Sequence, residues 1–326
     1  MFELIRPGTN IDFIGKWRAC VIGSLVLIVM GIAAIPLRGG IKWGVDFAGG
    51  TEMLVHFANT PDVSEGKVRD AVQSAGVGEP SVVRYGESSE PAFLIRFQSA
   101  DEGQGVQQNV LVDQVQKALG ERVGAVDVDR VEYVGPKVGA ELRRAGAKAM
   151  TIAFLLILVY VGFRFTPQFA PGGVIALIHD VIVTCAVWQI LGQQFDLQVL
   201  AALLAIIGYS INDTIVIYDR IRELMGVHTT QDLPAVINQA VNQTLSRTVL
   251  TSGATLLSVL ALLFFGGDVL FTFAAPMAIG IVAGTYSTIF IASPIMLLLT
   301  KRQDRGKRAA EKATRSGAKK PAKARG

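Results

Sequence analysis

The chain is 326 residues long, 51% hydrophobic and 18% charged, with a mean hydropathy of +0.43 and a formal net charge of +4. That much apolar content in so long a chain excludes an ordinary soluble globule and points to a membrane protein. The positive charge is no sign of nucleic-acid binding: residues 301–326 hold 11 Lys/Arg against Asp304 and Glu311, a net of +9 that leaves −5 for the rest.

Six runs can each cross a hydrocarbon core of about 30 Å, which takes about 20 helical residues. They lie at 17–36, 149–165, 172–192, 197–217, 249–266 and 270–299. The first follows Lys16 and Arg18 as a secretory signal would. It is longer than most signal cores, though, and no small-x-small site follows, so it reads as a retained anchor. The loops 193–196 and 266–269 contain no Lys or Arg. Lys16, Arg18, Arg164, Arg220, Arg222, Arg247 and the basic tail gather on the opposite side, which predicts a cytoplasmic N-terminus (1–16) and a cytoplasmic tail (301–326). The tail's Ala/Lys/Arg/Gly repetition suits a disordered segment attracted to anionic lipid. Cys20 and Cys185 fall inside spans and His56, His179 and His228 are scattered, so neither a disulfide framework nor a metal site is expected.

Residues 37–148 form the one large extracytoplasmic piece. They open on "GVDFAGGT" (44–51), a connector in which Asp46 suits a turn cap and Gly49-Gly50 permit close backbone approach to another element. Strand-like alternation follows in "TEMLVHFA", helical spacing in 63–76, two short strands around "GESSE", a second helix over 106–120 and a last strand over 125–134. The order βαββαβ is the split-βαβ, ferredoxin-like α+β arrangement. Its charges alternate in sign as on a solvated face, and it holds no nucleophile–base pair.

Polar residues inside the spans carry the chemistry. Asp213 lies 17 residues after Asp196 and Arg247 lies 19 before Gly266. At 1.5 Å per residue these are depths of about 26 and 28 Å from the outer boundary, so both lie toward the inner side. A lone charge at the bilayer centre costs at least about 2.5–3.5 kcal/mol, which pairing or hydration relieves. Tyr209, Ser210 and Asp213 share one helical face. Arg247, Thr251, Thr255 and Ser258 form a stripe up the fifth span, flanked by Thr248 and Ser252, which is expected to face other helices or a hydrated path. His179 and Asp180 add two ionisable groups on the third span, and Gly280 to Gly284 fits a GxxxG packing pattern. Snorkelling of Arg247 and a purely structural Asp213 are the plain alternatives. Residues 218–248, with Leu233, Val236, Ile237, Ala240, Val241 and Leu245 on one face, suit an amphipathic segment along the cytoplasmic surface.

Three motifs carry a resemblance: "GVDFAGGT" after the first span, "GYSINDTIVIYDRIRE" closing the fourth and "RTVLTS" opening the fifth. With six spans and one large loop, the chain resembles the SecF subunits of the bacterial SecD/SecF protein-export complex, in the resistance–nodulation–division superfamily. The resemblance implies a non-enzymatic inner-membrane subunit with both termini cytoplasmic. It implies a SecD-like partner, action on a preprotein at the SecYEG channel, and a proton gradient in place of any cofactor. It assigns a proton relay to Asp213 and its electrostatic partner to Arg247. His179, Asp180, Tyr209, Ser210 and Thr251 stand as a possible path, and Asp46, Gly49, Gly50, Thr248 and Ser252 as motif residues. A small-molecule exporter would carry twelve spans in one chain, and a scaffold needs no membrane carboxylate. An aspartyl protease pairing Asp180 with Asp213 lacks its GxGD element.

Overall fold

The computed structural model describes residues 9–57, 63–78, 80–85, 92–97, 108–165, 169–227 and 232–303. Most of the basic tail and His228 lie outside them. The mostly helical chain runs α1 (Phe13–Leu37), α2 (Val45–Ala48), β1 (Gly50–Phe57), α3 (Glu65–Gln73), β2 (Ser81–Tyr85), β3 (Ala92–Phe97), α4 (Gln108–Arg122) and β4 (Val126–Val134). It continues as α5 (Pro136–Arg164), α6 (Ala170–Leu191), α7 (Leu197–Val227), α8 (Leu233–Phe265) and α9 (Gly267–Ser287). A π-bulge over Thr288–Ala292 carries α9 on to Gln303. Six of these helices, α1 and α5 to α9, are long and apolar enough to cross a membrane.

The four strands make one antiparallel sheet in the order β2-β3-β1-β4. Alternation decides its two faces. Met53, Val55 and Phe57 of β1 and Phe93, Ile95 and Phe97 of β3 point to one side, where Val68 and Val72 of α3 and Val115 and Leu119 of α4 cover them. Glu52 points to the other side, where it takes Arg96 at 2.6 Å and Arg130 at 3.7 Å.

In the bundle, α6, α7 and α9 are central. The glycines of α9 permit this, since a Cβ at Gly280 would collide with Ile206 of α7. By contrast α5 turns Leu156 and Phe163 outward, and α8 turns Leu257, Phe264 and Phe265 outward.

Helix lengths differ from the apolar runs for a simple reason: a helix does not stop where hydropathy does. Pro136 at the first turn starts α5 directly after β4, so 136–148, expected to belong to the extracytoplasmic piece, is charged helix continuous with the second span. Likewise α7 passes 217 and carries Asp219 to Glu223 to its end at Val227. The amphipathic segment is also not a separate surface helix. Residues 233–248 are the first turns of α8, and Val236, Ile237, Ala240 and Val241 are buried against Phe13, Ile217, Ile221 and Leu224. Its apolar face was legible, but its cover is protein.

That packing lets α8 cap α1. Asn238 Oδ1 accepts from the Phe13 N–H at 2.8 Å and the Ile14 N–H at 3.4 Å, and Asn242 Oδ1 accepts from the Ile11 N–H at 2.9 Å. Asn238→Ala removes the side-chain acceptor shared by Phe13 and Ile14 and should cost about 1 kcal/mol, read as a lower thermal midpoint in detergent. Asn238→Asp, which keeps the acceptor and places a negative charge at a helix N-terminus, should retain most of the midpoint.

Candidate functional site

Asp213 is 4% exposed, and Asp180 is fully buried. A carboxylate enclosed this far must be given donors, and each has one on a neighbouring helix. The Ser252 hydroxyl of α8 donates to Asp213 Oδ2 at 2.9 Å, and the Thr285 hydroxyl of α9 donates to Ser252 Oγ at 2.9 Å. Ser210, one turn before Asp213, donates to Asp180 Oδ2 at 2.6 Å, while His179 Nδ1 lies 3.2 Å from Asp180 Oδ1. The two carboxylates therefore belong to separate hydrogen-bonded clusters that meet where α7 crosses α9. They share no bond, unlike a catalytic aspartate dyad.

The crossing is tight because Gly284 has no side chain: a Cβ there would sit 2.9 Å from Ser210 Oγ and 3.5 Å from Asp180 Oδ2. One turn further, Thr214 and Thr288 hydroxyls meet at 3.1 Å and Tyr218 donates to the Ala292 carbonyl at 3.1 Å, both at the π-bulge. Thr285, Thr288, Thr214 and Tyr218 were not singled out from sequence, whereas Gly284 stood in the GxxxG pattern of the last span. The polar run "GTYST" (284–288) in the last span was the available signal.

Of the expected path residues, Asp180 and Ser210 are buried, Tyr209 and His179 part-buried and Thr251 exposed, while the motif residue Thr248 is buried. The Tyr209 hydroxyl, Thr248 Oγ1 and His179 Nε2 are enclosed polar atoms without a protein hydrogen bond among the described residues. His179 stacks on Tyr286 with centroids 6.2 Å apart, and its ring borders a largely apolar cavity of about 750 Å³ between α1, α6, α8 and α9.

Arg247 is not where pairing with Asp213 requires it. It is exposed, and the arginine ion pairs among the described residues involve Arg96, Arg130, Arg164, Arg220 and Arg222 instead. Ser252, which reaches Asp213, is five positions further along, about 140° around the helix at 3.6 residues per turn. The expected stripe splits accordingly. Thr248 and Ser252 face inward, while Arg247, Thr251 and Ser258 face outward, with Thr251 and Ser258 returning their hydroxyls to the carbonyls of Arg247 and Ala254.

The connector 44–50 sits against the turn that joins α6 to α7 and the first turns of α5. Asp46 does not cap its own turn: its Oδ2 accepts from the Leu197 N–H at 3.0 Å, the first residue of α7. Gly49 has φ +80°, and a Cβ there would lie 2.8 Å from Pro136 Cα. Gly139 on α5 faces the Phe47 carbonyl as closely, and Arg143 donates to that carbonyl at 2.6 Å. Gly50 opens β1, paired with Val134. Asp196 caps α7 from within by accepting from the Val199 N–H at 2.9 Å. Burial pushes its carboxyl above the ordinary range, the Val199 N–H and the Arg96 guanidinium pull it back, and Asp46 adds to the rise.

Residues 114–302 match the family described as protein export membrane protein SecD/SecF, C-terminal, and residues 38–61 match the SecD/SecF GG motif. Over 311 residues the chain is 38% identical to a protein translocase subunit SecF from Calditerrivibrio nitroreducens, covering 93% of this chain and 98% of the relative. Identity is 43% over 299 residues to the subunit SecF of Magnetococcus marinus, covering 91% and 94%. Among solved structures, SecDF from Thermus thermophilus, a translocon-associated membrane protein, superposes with a TM-score of 0.77 at 32% identity. That match covers 90% of this chain, which spans 39% of the longer SecDF chain.

The α7–α9 crossing gives a coupled test. Ser210→Ala should cost about 1–2 kcal/mol by removing a donor to a buried carboxylate. Gly284→Ala forces the Ser210 hydroxyl away and should cost a similar amount. The double variant should then cost less than the sum of the two, because both changes break one bond and only the 3.0 Å approach to the Cβ of residue 210 is added. Thermal midpoints of the three variants in one detergent measure the non-additivity.

Proposed function

The chain belongs to the SecD/SecF protein-export family, on its SecF side, and from that footing we propose that it is the proton-responsive membrane subunit that, with a SecD-like partner, drives late steps of preprotein translocation through SecYEG. The observation that carries this reading is Asp213. It is the ionisable end of a hydroxyl series, Thr285 to Ser252 to Asp213, that joins α9, α8 and α7. A carboxylate so placed can take and release a proton, and the same hydroxyls can turn to donate to it or accept from it. One elementary charge moved through 100 mV is worth about 2.3 kcal/mol, ample to bias a helix rearrangement. The enclosed polar atoms of Tyr209, Thr248 and His179 suit a path with water in it.

Several finer readings join this proposal. The protein is a transport subunit of the inner membrane, not an enzyme, and needs no cofactor because the gradient supplies the energy. Lys/Arg asymmetry among the loops supports cytoplasmic termini and an extracytoplasmic domain, and the strand order β2-β3-β1-β4 supports its ferredoxin-like assignment. The bare apolar sides of α5 and α8 support a membrane partner, and so does the outward Arg247 stripe. Arg247 then acts from the partner-facing side of α8. Preprotein and anionic lipid are the remaining partners of this reading.

The test is preprotein translocation in vesicles with and without an imposed proton gradient, at matched expression. Asp213→Asn keeps shape and hydrogen bonding but cannot titrate. It should leave insertion, partner association and ATP-driven export intact and reduce the gradient-stimulated component to background, with Asp213→Glu retaining part of it. Full stimulation in Asp213→Asn would assign the carboxylate to a structural tie. Arg247→Met should also abolish stimulation and Arg247→Lys should restore part of it, whereas unchanged activity in Arg247→Met would mark the side chain as an interfacial anchor.

A further inference from the structure

We propose that the connector 44–50 and the turn 193–196 form a single joint that passes movement of α7 to the sheet, with Asp46 and Gln194 as its positioning residues. This rests on the reading of Asp213 as the proton relay and adds how its state reaches the domain outside the membrane.

On the membrane side of the joint stands α7. Asp46 accepts from the Leu197 N–H, so the connector holds the first residue of the same helix that carries Asp213. The two are 16 residues apart, about 24 Å of helix, a length over which a helix moves as a rod. The grip is continued by backbone: Gly44 N–H donates to the Phe195 carbonyl at 2.7 Å and Phe195 N–H to the Lys42 carbonyl at 2.8 Å, a parallel bridge between the two segments. Gly44 permits it, since a Cβ there would meet the Phe195 carbonyl at 3.1 Å. Trp43 closes the joint, with its ring 6.1 Å from Phe195 and 5.9 Å from Phe47.

On the other side stands the sheet. The connector runs directly into β1, which pairs with both β3 and β4, so whatever displaces residues 44–50 displaces the strand through which the sheet is held together. A second hold is independent of the first: Arg96 of β3, fixed by Glu52 of β1, donates to Gln194 Oε1 at 3.0 Å. The turn before α7 is thus tied to the sheet twice, once through the connector and once by a side chain. The hydrogen bonds of both ties are directional, and the apolar part of the joint is one small aromatic cluster of Trp43, Phe47 and Phe195, so the ties can shift without emptying a core.

A static brace would use the same bonds, so the test must separate coupling from stability. The complete complex with its partner is placed in proteoliposomes, and gradient-stimulated preprotein translocation and proton flux, from an internal pH dye, are measured on the same preparation. Asp46→Ala and Gln194→Ala should each lower stimulation roughly fivefold or more, the low end of ordinary coupling, with proton flux within about twofold of the unsubstituted complex. Asp46→Asn, which keeps an acceptor for Leu197, should retain most of the stimulation. A parallel fall of flux and translocation, or no fall in either, overturns the joint. If Asp46→Ala fails to assemble, Gln194→Ala on the surface turn decides alone. Asp213→Asn is run beside them: its having no effect on flux or translocation sinks the relay reading, whereas its abolishing both while the joint variants stay normal sinks only the joint.

Discussion

A carboxylate inside an apolar bundle is the constraint on which the rest of this structure depends. Asp213 cannot be left to lipid, and the donors it needs cannot come from its own helix, whose backbone N–H groups are already committed to the helical ladder. It is therefore met from α8 by Ser252, which is itself met from α9 by Thr285. That requirement brings three helices to one point and dictates small residues there. Gly284 leaves room for Ser210 and Asp180, and Gly280 leaves room for Ile206. The π-bulge lies one turn beyond, where the Thr214 and Thr288 hydroxyls meet and Tyr218 donates to the Ala292 carbonyl. Packing and polar satisfaction are thus the same arrangement viewed twice.

Much of this was legible in sequence because it rests on local periodicity. Alternation in 51–58 and 125–134 located β1 and β4 to within a residue, and the helical spacing of Val68, Ala71 and Val72 named the buried side of α3. The spans were found because their apolar length is a property of the segment alone. What could not be read was pairing between distant segments. Asp213 and Arg247 lie at similar depth on consecutive helices, which suggests an ion pair. Depth is only one coordinate, though, and the angle around α8 places Ser252 rather than Arg247 against Asp213. Likewise the apolar face of 233–245 is real, but periodicity does not say whether lipid or Phe13 and Ile221 will cover it.

Arg247 also shows what a bundle of six spans leaves open. An exposed guanidinium beside Thr251 and Ser258, on a helix that also presents Leu257 and Phe264, is a poor surface for hydrocarbon and a good one for another protein. The central helices α6, α7 and α9 are buried within the chain, whereas α5 and α8 are apolar on a side that no element among the described residues covers. That asymmetry fits half of a larger assembly, consistent with a chain that spans 39% of a SecDF chain it resembles.

The two ends of α7 complete the argument. Its buried middle holds Asp213, the carboxylate proposed as the proton relay, and its first residue is held by Asp46 from the connector. In the proposed joint, a long helix fixed by hydrogen bonds at its end and by a titratable group within it would turn a local change of charge into displacement at a distance, provided the end contacts are directional and few. The outer contacts meet that condition: one carboxylate to Leu197, one backbone bridge through Phe195 and one amide to Arg96. Gly49, held at φ +80° against Pro136, sets the connector between α5 and β1 at a separation no side chain would permit. The motif before the first strand is conspicuous in the sequence for this physical reason: its glycines allow three backbones to meet at the point where the sheet is fastened to the helix that carries the charge.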